Sequence, residues 1–175
     1  VTPDGKTIVY RLGGGGDPNA DLMAIQSDGS NRRPLLANPG YSERNAVISP
    51  DGRWIAYDSN ETGHFEVYVR PFPDVEAGHW QVSGEGGVHP MWAGTELFFI
   101  GSSSRLPVMS VAVQSGASFS FAKPRRLFDS VSYAQGVPGR AMDVAPDGKR
   151  FLVMKPVSTD GANHPAIVVV SHWID

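Results

Sequence analysis

The chain has 175 residues, of which 41% are hydrophobic and 19% charged, and its formal net charge is −3. That length fits one domain, and the lack of a clustered Lys/Arg block excludes a phosphate-tracking nucleic-acid surface. With no cysteine, disulfides, thiolate zinc sites and thiol catalysis are excluded, a composition that suits an oxidising compartment. No apolar run reaches the roughly 18 residues of a membrane span, so this segment is not expected to insert into a bilayer. The basic doublets Arg32-Arg33 and Arg125-Arg126 read as solvated hairpin ends.

Turns punctuate the chain, with 20 glycines and 14 prolines between recurring apolar runs. The chain opens inside a motif, Val1-Thr2-Pro3-Asp4-Gly5, as a piece of a longer protein would. The first expected strands are Thr7–Arg11, Asp21–Gln26 and Arg33–Leu36. An inner strand at Asn45–Ser49 follows, then Trp54–Asp58, Phe65–Arg70 and His79–Ser83. The next group is His89–Trp92, Glu96–Ile100, Val108–Val113 and Arg125–Phe128. The last is Ala141–Ala145, Arg150–Lys155 and Ala166–Ser171. No segment carries helical periodicity.

These groups repeat a motif. Thr2-Pro-Asp-Gly5, Ser49-Pro-Asp-Gly52, Trp92-Ala-Gly94 and Ala145-Pro-Asp-Gly148 each precede an apolar strand, and the glycines lie 47, 42 and 54 residues apart. Proline presets φ, the aspartate bonds back to the local backbone, and glycine accepts positive φ. The third copy lacks the Pro-Asp pair and turns more tightly. A period of roughly 40–50 residues with four strands per copy is that of a β-propeller blade. The expected fold is therefore all-β: four-stranded antiparallel blades at 1–40, 41–84, 85–130 and 131–175, the first and last incomplete. Ragged ends leave sheet edges to be covered, by further blades or by a second copy of the chain in a homodimer. Trp54, Tyr57, Phe65, Tyr68, Trp92, Phe98, Phe99 and Phe151 are expected in the blade cores. Trp80 and Trp173 fall on outer or final strands, Trp173 at the closure seam.

Several tempting motifs fail on inspection. Gly13-Gly-Gly-Gly16 is followed by no Lys-Ser/Thr and no helix, so it reads as a hairpin loop and not a phosphate cradle. Ser102-Ser-Ser104 lacks a nucleophile elbow, and the chain has no kinase signature. His64, His79, His89, His164 and His172 form no paired ligand spacing, no Asp-x-Asp-x-Asp-Gly loop is present, and no metal or cofactor is expected. Asn60-Glu-Thr62 is a polar turn.

One constellation remains. Aligning the copies puts Arg44, Val88 and Arg140 in register, and likewise Asn45, His89 and Ala141. Inner strands line the central channel of a propeller, so Glu43, Arg44, Asn45, His89 and Arg140 could meet at one mouth as a polar binding pocket. The alternative for these side chains is ion pairing between blades.

Ser49-Pro-Asp-Gly-Arg-Trp-Ile-Ala-Tyr57 and Asp21-Leu-Met-Ala-Ile-Gln-Ser-Asp-Gly29 resemble the WD40-like Pro-Asp-Gly propeller repeats of TolB and its relatives. The ordered run Gly86-Gly-Val-His-Pro-Met-Trp92, Glu96-Leu-Phe-Phe-Ile100, Pro124-Arg-Arg-Leu-Phe128, Arg140-Ala-Met-Asp-Val-Ala-Pro-Asp-Gly-Lys-Arg-Phe-Leu152 and Ile167-Val-Val-Val-Ser-His-Trp173 is similar to the C-terminal propeller of bacterial eukaryotic-like serine/threonine kinases. The resemblance implies a non-catalytic sensor or interaction module for a protein or small ligand, outside the cytoplasm. A propeller-scaffold hydrolase or lyase with a site at the channel mouth, and a structural assembly module, are the alternatives.

Overall fold

The computed structural model describes residues 1–13, 19–115, 118–130, 140–159 and 162–171, with backbone alone for 115, 155–159 and 162–171. Gly14 to Gly16, His172, Trp173 and the side chain of His164 thus lie outside the described residues. The described residues form four antiparallel sheets and no helix. The first sheet holds β1 (Thr7–Leu12), β2 (Asp21–Gln26) and β3 (Arg33–Leu36). The second holds β4 (Glu43–Ile48), β5 (Trp54–Ser59), β6 (Glu66–Pro71) and β7 (Trp80–Gln81). The third holds β8 (Gly87–Ala93), β9 (Glu96–Gly101), β10 (Pro107–Ser115), β11 (Phe119–Phe121) and β12 (Arg125–Asp129). The fourth holds β13 (Met142–Val144), β14 (Arg150–Thr159) and β15 (Ala162–Ser171).

The repeated turns set this order. In the three Pro-Asp-Gly copies the glycine N–H donates to the residue three back: Gly5 to Thr2, Gly52 to Ser49 and Gly148 to Ala145, each at 2.9 Å. The aspartate oxygen accepts the N–H two residues on, at 3.1 Å from Lys6, 3.1 Å from Arg53 and 3.0 Å from Lys149. The glycines take φ of 71°, 73° and 67°, a region closed to most side chains. The third copy substitutes a two-residue loop, Gly94-Thr95, with Gly94 at φ 57°, the positive φ that a hairpin turn needs at its first loop position.

Middle strands alternate between neighbouring blades, not between core and solvent. In β5, Ile55 and Tyr57 pack with Leu22, Leu35 and Leu36 of the first sheet, whereas Trp54 and Ala56 pack with Leu97, Phe99 and Val111 of the third. In β9, Leu97 and Phe99 face the second sheet and Phe98 packs with Val144, Phe151 and Val153 of the fourth. Both faces are covered, which is why these strands read as continuous apolar runs. Of the expected core aromatics, Trp54, Tyr57, Tyr68, Phe98, Phe99 and Phe151 are buried, while Phe65 and Trp92 are half-buried.

Strand β11 has no counterpart in the expected pattern. It extends β10 beyond its pairing with β12 and inserts Phe119 against Trp54 and Trp80, at ring separations of 5.0 and 5.1 Å. His79–Ser83 contracts to the two-residue β7. The blades are also sewn together by backbone: Glu43 N–H donates to Ala20 O (2.8 Å) and Gly87 N–H to Phe65 O (2.9 Å).

The turn geometry makes a clean prediction. A methyl at Gly52 would meet only ordinary contacts with Pro3, so the cost of Gly52→Ala is that of the positive φ, about 1–2 kcal/mol. Urea unfolding should show a lower midpoint with an unchanged slope; an unchanged midpoint would mean that φ is not held positive.

Candidate functional site

The inner strands β4 and β8 each carry a bulge at the same point of the repeat. The register slips between Arg44 and Val47 in β4, and between Val88 and Met91 in β8. At the bulges Asn45 and His89 both adopt φ 55°, a left-handed conformation that Asn and His enter more readily than most residues. A bulge re-aims the side chains beside it and leaves backbone groups free for other partners.

Those partners converge on Asp58, near the end of β5, which is fully buried. Its Oδ2 accepts from Arg44 Nε at 2.7 Å. Its Oδ1 accepts from Asn45 Nδ2 at 2.8 Å and from the His89 backbone N–H at 3.1 Å. The last bond crosses from the second blade to the third. Arg140, just ahead of β13, donates Nη2 to the bulge carbonyl of Pro90 at 3.0 Å and so ties the fourth blade to the third. The Arg44 guanidinium also lies 3.4 Å from the centroid of the Phe65 ring, a cation–π contact.

Three donors on one carboxylate satisfy the demand of a buried charge. The imidazole of His89 is different: its Nδ1 is buried without a hydrogen-bond partner. Burial depresses the His89 pKa, opposed by Asp58 and assisted by Arg140 and Arg44. The ring is therefore neutral at neutral pH. Burial likewise lowers Arg140 from its ordinary value, with Asp143 and Asp58 opposing.

Glu43 takes another direction. It neighbours Arg44 on one strand, so its side chain leaves by the opposite face. It is 3% exposed, and its Oε2 has no hydrogen-bond partner. Its electrostatic neighbours are Asp21, Glu61 and Arg70, whereas those of His89 are Asp58, Arg140 and Arg44. Burial first, then Asp21 and Glu61, push the Glu43 carboxyl up to about 7, against the Asn38 backbone N–H and Arg70. Of the five residues singled out in sequence, Arg44, Asn45, His89 and Arg140 thus meet around one bulge pair, and Glu43 sits toward the first blade.

Asp58, the hub, was missed. The signal was present: an acid ending the otherwise apolar run Trp54-Ile-Ala-Tyr57 must find donors if it is buried. Among the described residues no group of three or more His, Asp or Glu could hold a metal ion. His64 instead contacts Glu66 at 2.8 Å, and His79 contacts Glu61 at 3.0 Å.

Repeated blades with a polar cluster on their inner strands define a piece of a β-propeller, and solved structures share that fold. TolB from Acinetobacter baumannii is similar at 16% identity and TM-score 0.54, over 94% of this chain and 52% of that one. A puromycin-hydrolyzing peptidase of Mycobacterium tuberculosis is similar at 19% identity and TM-score 0.63, over 98% of this chain and 30% of that one. An oligogalacturonate lyase from Vibrio parahaemolyticus is similar at 18% identity and TM-score 0.60, over 96% and 46%. The chain thus spans about half, or less, of the length of these proteins. No family model and no curated protein sequence matches it. The fold is that of the TolB-like β-propellers.

Two outcomes follow. Asp58→Ala leaves Arg44 and the His89 amide without their acceptor, so it should cost about 3–5 kcal/mol, read as a fall in the urea midpoint. Glu43 holds a proton in the fold between its ordinary pKa of 4.5 and about 7, where the unfolded chain has lost it. Its contribution to stability therefore falls as pH rises through that window, by at most about 1.4 kcal/mol per pH unit. The stability difference between wild type and Glu43→Gln should change with pH only there; a difference independent of pH would refute the assignment.

Proposed function

We propose that this chain is a non-catalytic binding module, part of a larger extracytoplasmic propeller protein, and that it engages a protein or small ligand through the bulged inner strands. The observation that carries this reading is the state of the acid at the site. Asp58 is occupied by three donors, so it is not free to act as a general base. The other acid, Glu43, faces a different set of neighbours from His89. A polar mouth without an acid–base pair suits recognition better than turnover.

The groups left to a ligand are the guanidinium donors of Arg44 and Arg140. Arg44 keeps 31% of its side chain exposed while paired to Asp58. Arg140 commits one guanidinium nitrogen to Pro90. This set favours a ligand that presents acceptors, such as backbone carbonyls or a carboxylate. The propeller fold hosts both binding proteins and enzymes, so the similar peptidase and lyase structures do not argue for catalysis in this chain. The kinase-linked context belongs to the same proposal: a sensor blade set joined to a catalytic domain elsewhere in the protein.

The test has two arms. The chain should give no turnover of peptide anilides or oligogalacturonate above buffer; activity lost in His89→Ala would overturn the non-catalytic reading. In a thermal-shift screen of peptides and small acids, a stabilising ligand of the mouth should lose its effect in Arg140→Ala and keep it in Glu43→Gln. The reverse pattern would move the site to Glu43.

A further inference from the structure

A cavity of about 870 Å³ opens on the seam between the second and third blades, lined by none of the residues gathered at Asp58. Its apolar lining comes chiefly from the half-buried Met109, Pro107 and Pro124, while Val82 and Phe99, nearly fully buried in the core cluster shared by the two blades, contribute little surface. Its rim carries three cations, Arg105, Lys123 and Arg126. They come from the segment after β9, the link between β11 and β12, and β12 itself. Tertiary structure alone brings them to one opening.

The space exists for a local reason. Strand β7 is only two residues long, and the segment after it is poor in side chains: Ser83, Gly84 and Gly86 all line the cavity. A methyl placed on Gly84 would meet nothing within 4 Å, whereas one on Gly86 would run into Ser102. The wall at Gly84 is therefore open, and its backbone needs no positive φ.

The charge balance decides what the opening accepts. Arg105 and Arg126 share one carboxylate, Asp129, which lies 3.6 Å from Arg105 and in contact with Arg126. Lys123 has no carboxylate partner among the described residues. Glu85 is the single acid lining the cavity. Three cations against Glu85 and a shared Asp129 leave local positive charge on a chain whose net charge is −3. Cations above an apolar floor match a ligand with an anionic head and an apolar body, and the volume lies within the range of small-molecule sites.

We infer that this seam cavity binds small amphipathic carboxylates, with the apolar body on Met109, Pro107 and Pro124 and the carboxylate among Lys123, Arg126 and Arg105. The site is separate from the Asp58 cluster and does not depend on it.

Titration calorimetry with dodecanoate, kept below its micelle concentration, tests this. Dodecanoate should bind at a single site, and more weakly as salt rises, because the rim cations are exposed. Dodecyltrimethylammonium, the cation with the same chain length, should bind at least about tenfold more weakly. Gly84→Trp, which fills the open wall, and Lys123→Glu with Arg126→Glu, which inverts the rim, should each weaken dodecanoate at least about tenfold. Both variants should keep the wild-type circular dichroism and cooperative melting. Arg140→Ala should bind dodecanoate as the wild type does, whatever it does at the channel mouth. Equal binding of the cationic chain, or full affinity in a folded Gly84→Trp variant, would overturn the inference. Loss of binding in Arg140→Ala would overturn its location.

Discussion

A buried carboxylate that bonds backbone across a blade boundary is the constraint on which this structure turns. Asp58 belongs to the second blade and accepts the His89 N–H of the third. A charge removed from water needs nearly all of its hydrogen-bonding capacity filled. The second and third blades must therefore hold one relative position, and the β8 bulge must keep the conformation that presents its amide. Glu66 repeats the device nearby. It is buried and accepts from Gly86 N–H at 2.9 Å and from the Ser83 hydroxyl. Two acids of one blade thus fasten the entry of the next.

Apolar packing alone would leave this junction less defined. The shared core of Trp54, Val67, Leu97, Phe99 and Val111 drives the blades together, but hydrophobic attraction is non-directional. The directional bonds set the register: Asp58 to the bulge, Arg140 to Pro90 O, and the backbone pair Gly87–Phe65. The same bonds that position the blades also position Arg44, Asn45 and His89. Arg44 is tied to Asp58 and Phe65 and still keeps 31% of its side chain exposed.

The two opposite faces of β4 carry different chemistry. On one, Arg44 meets a saturated acid. On the other, Glu43 is packed near Asp21 and Glu61 and keeps its proton to about pH 7. Adjacent residues on a strand serve different blades, which gives the second blade a pH-sensitive contact with the first through Glu43 and a hydrogen-bonded anchor to the third through Asp58.

The local code was legible in the sequence because its causes are local. Pro-Asp-Gly specifies a turn through φ and an aspartate bond, so the hairpins and the propeller class followed from four short segments, and β2 and β3 matched their expected bounds. Aligning the copies placed Asn45 and His89 at one repeat position, where both take φ 55°. Three features needed more than a local signal. Strand β11 depends on Phe119 finding Trp54 and Trp80, which lie far away in the chain. Asp58 became the hub only because a bulge 31 residues later turned an amide toward it. Glu43 left the site because strand alternation sends it to the first blade, and its environment there comes from β2 and the turn after β5. Sequence set the repeat and its turns. Only the tertiary structure decided which charges share a buried space, because desolvation and pairing depend on neighbours that the chain brings from other blades.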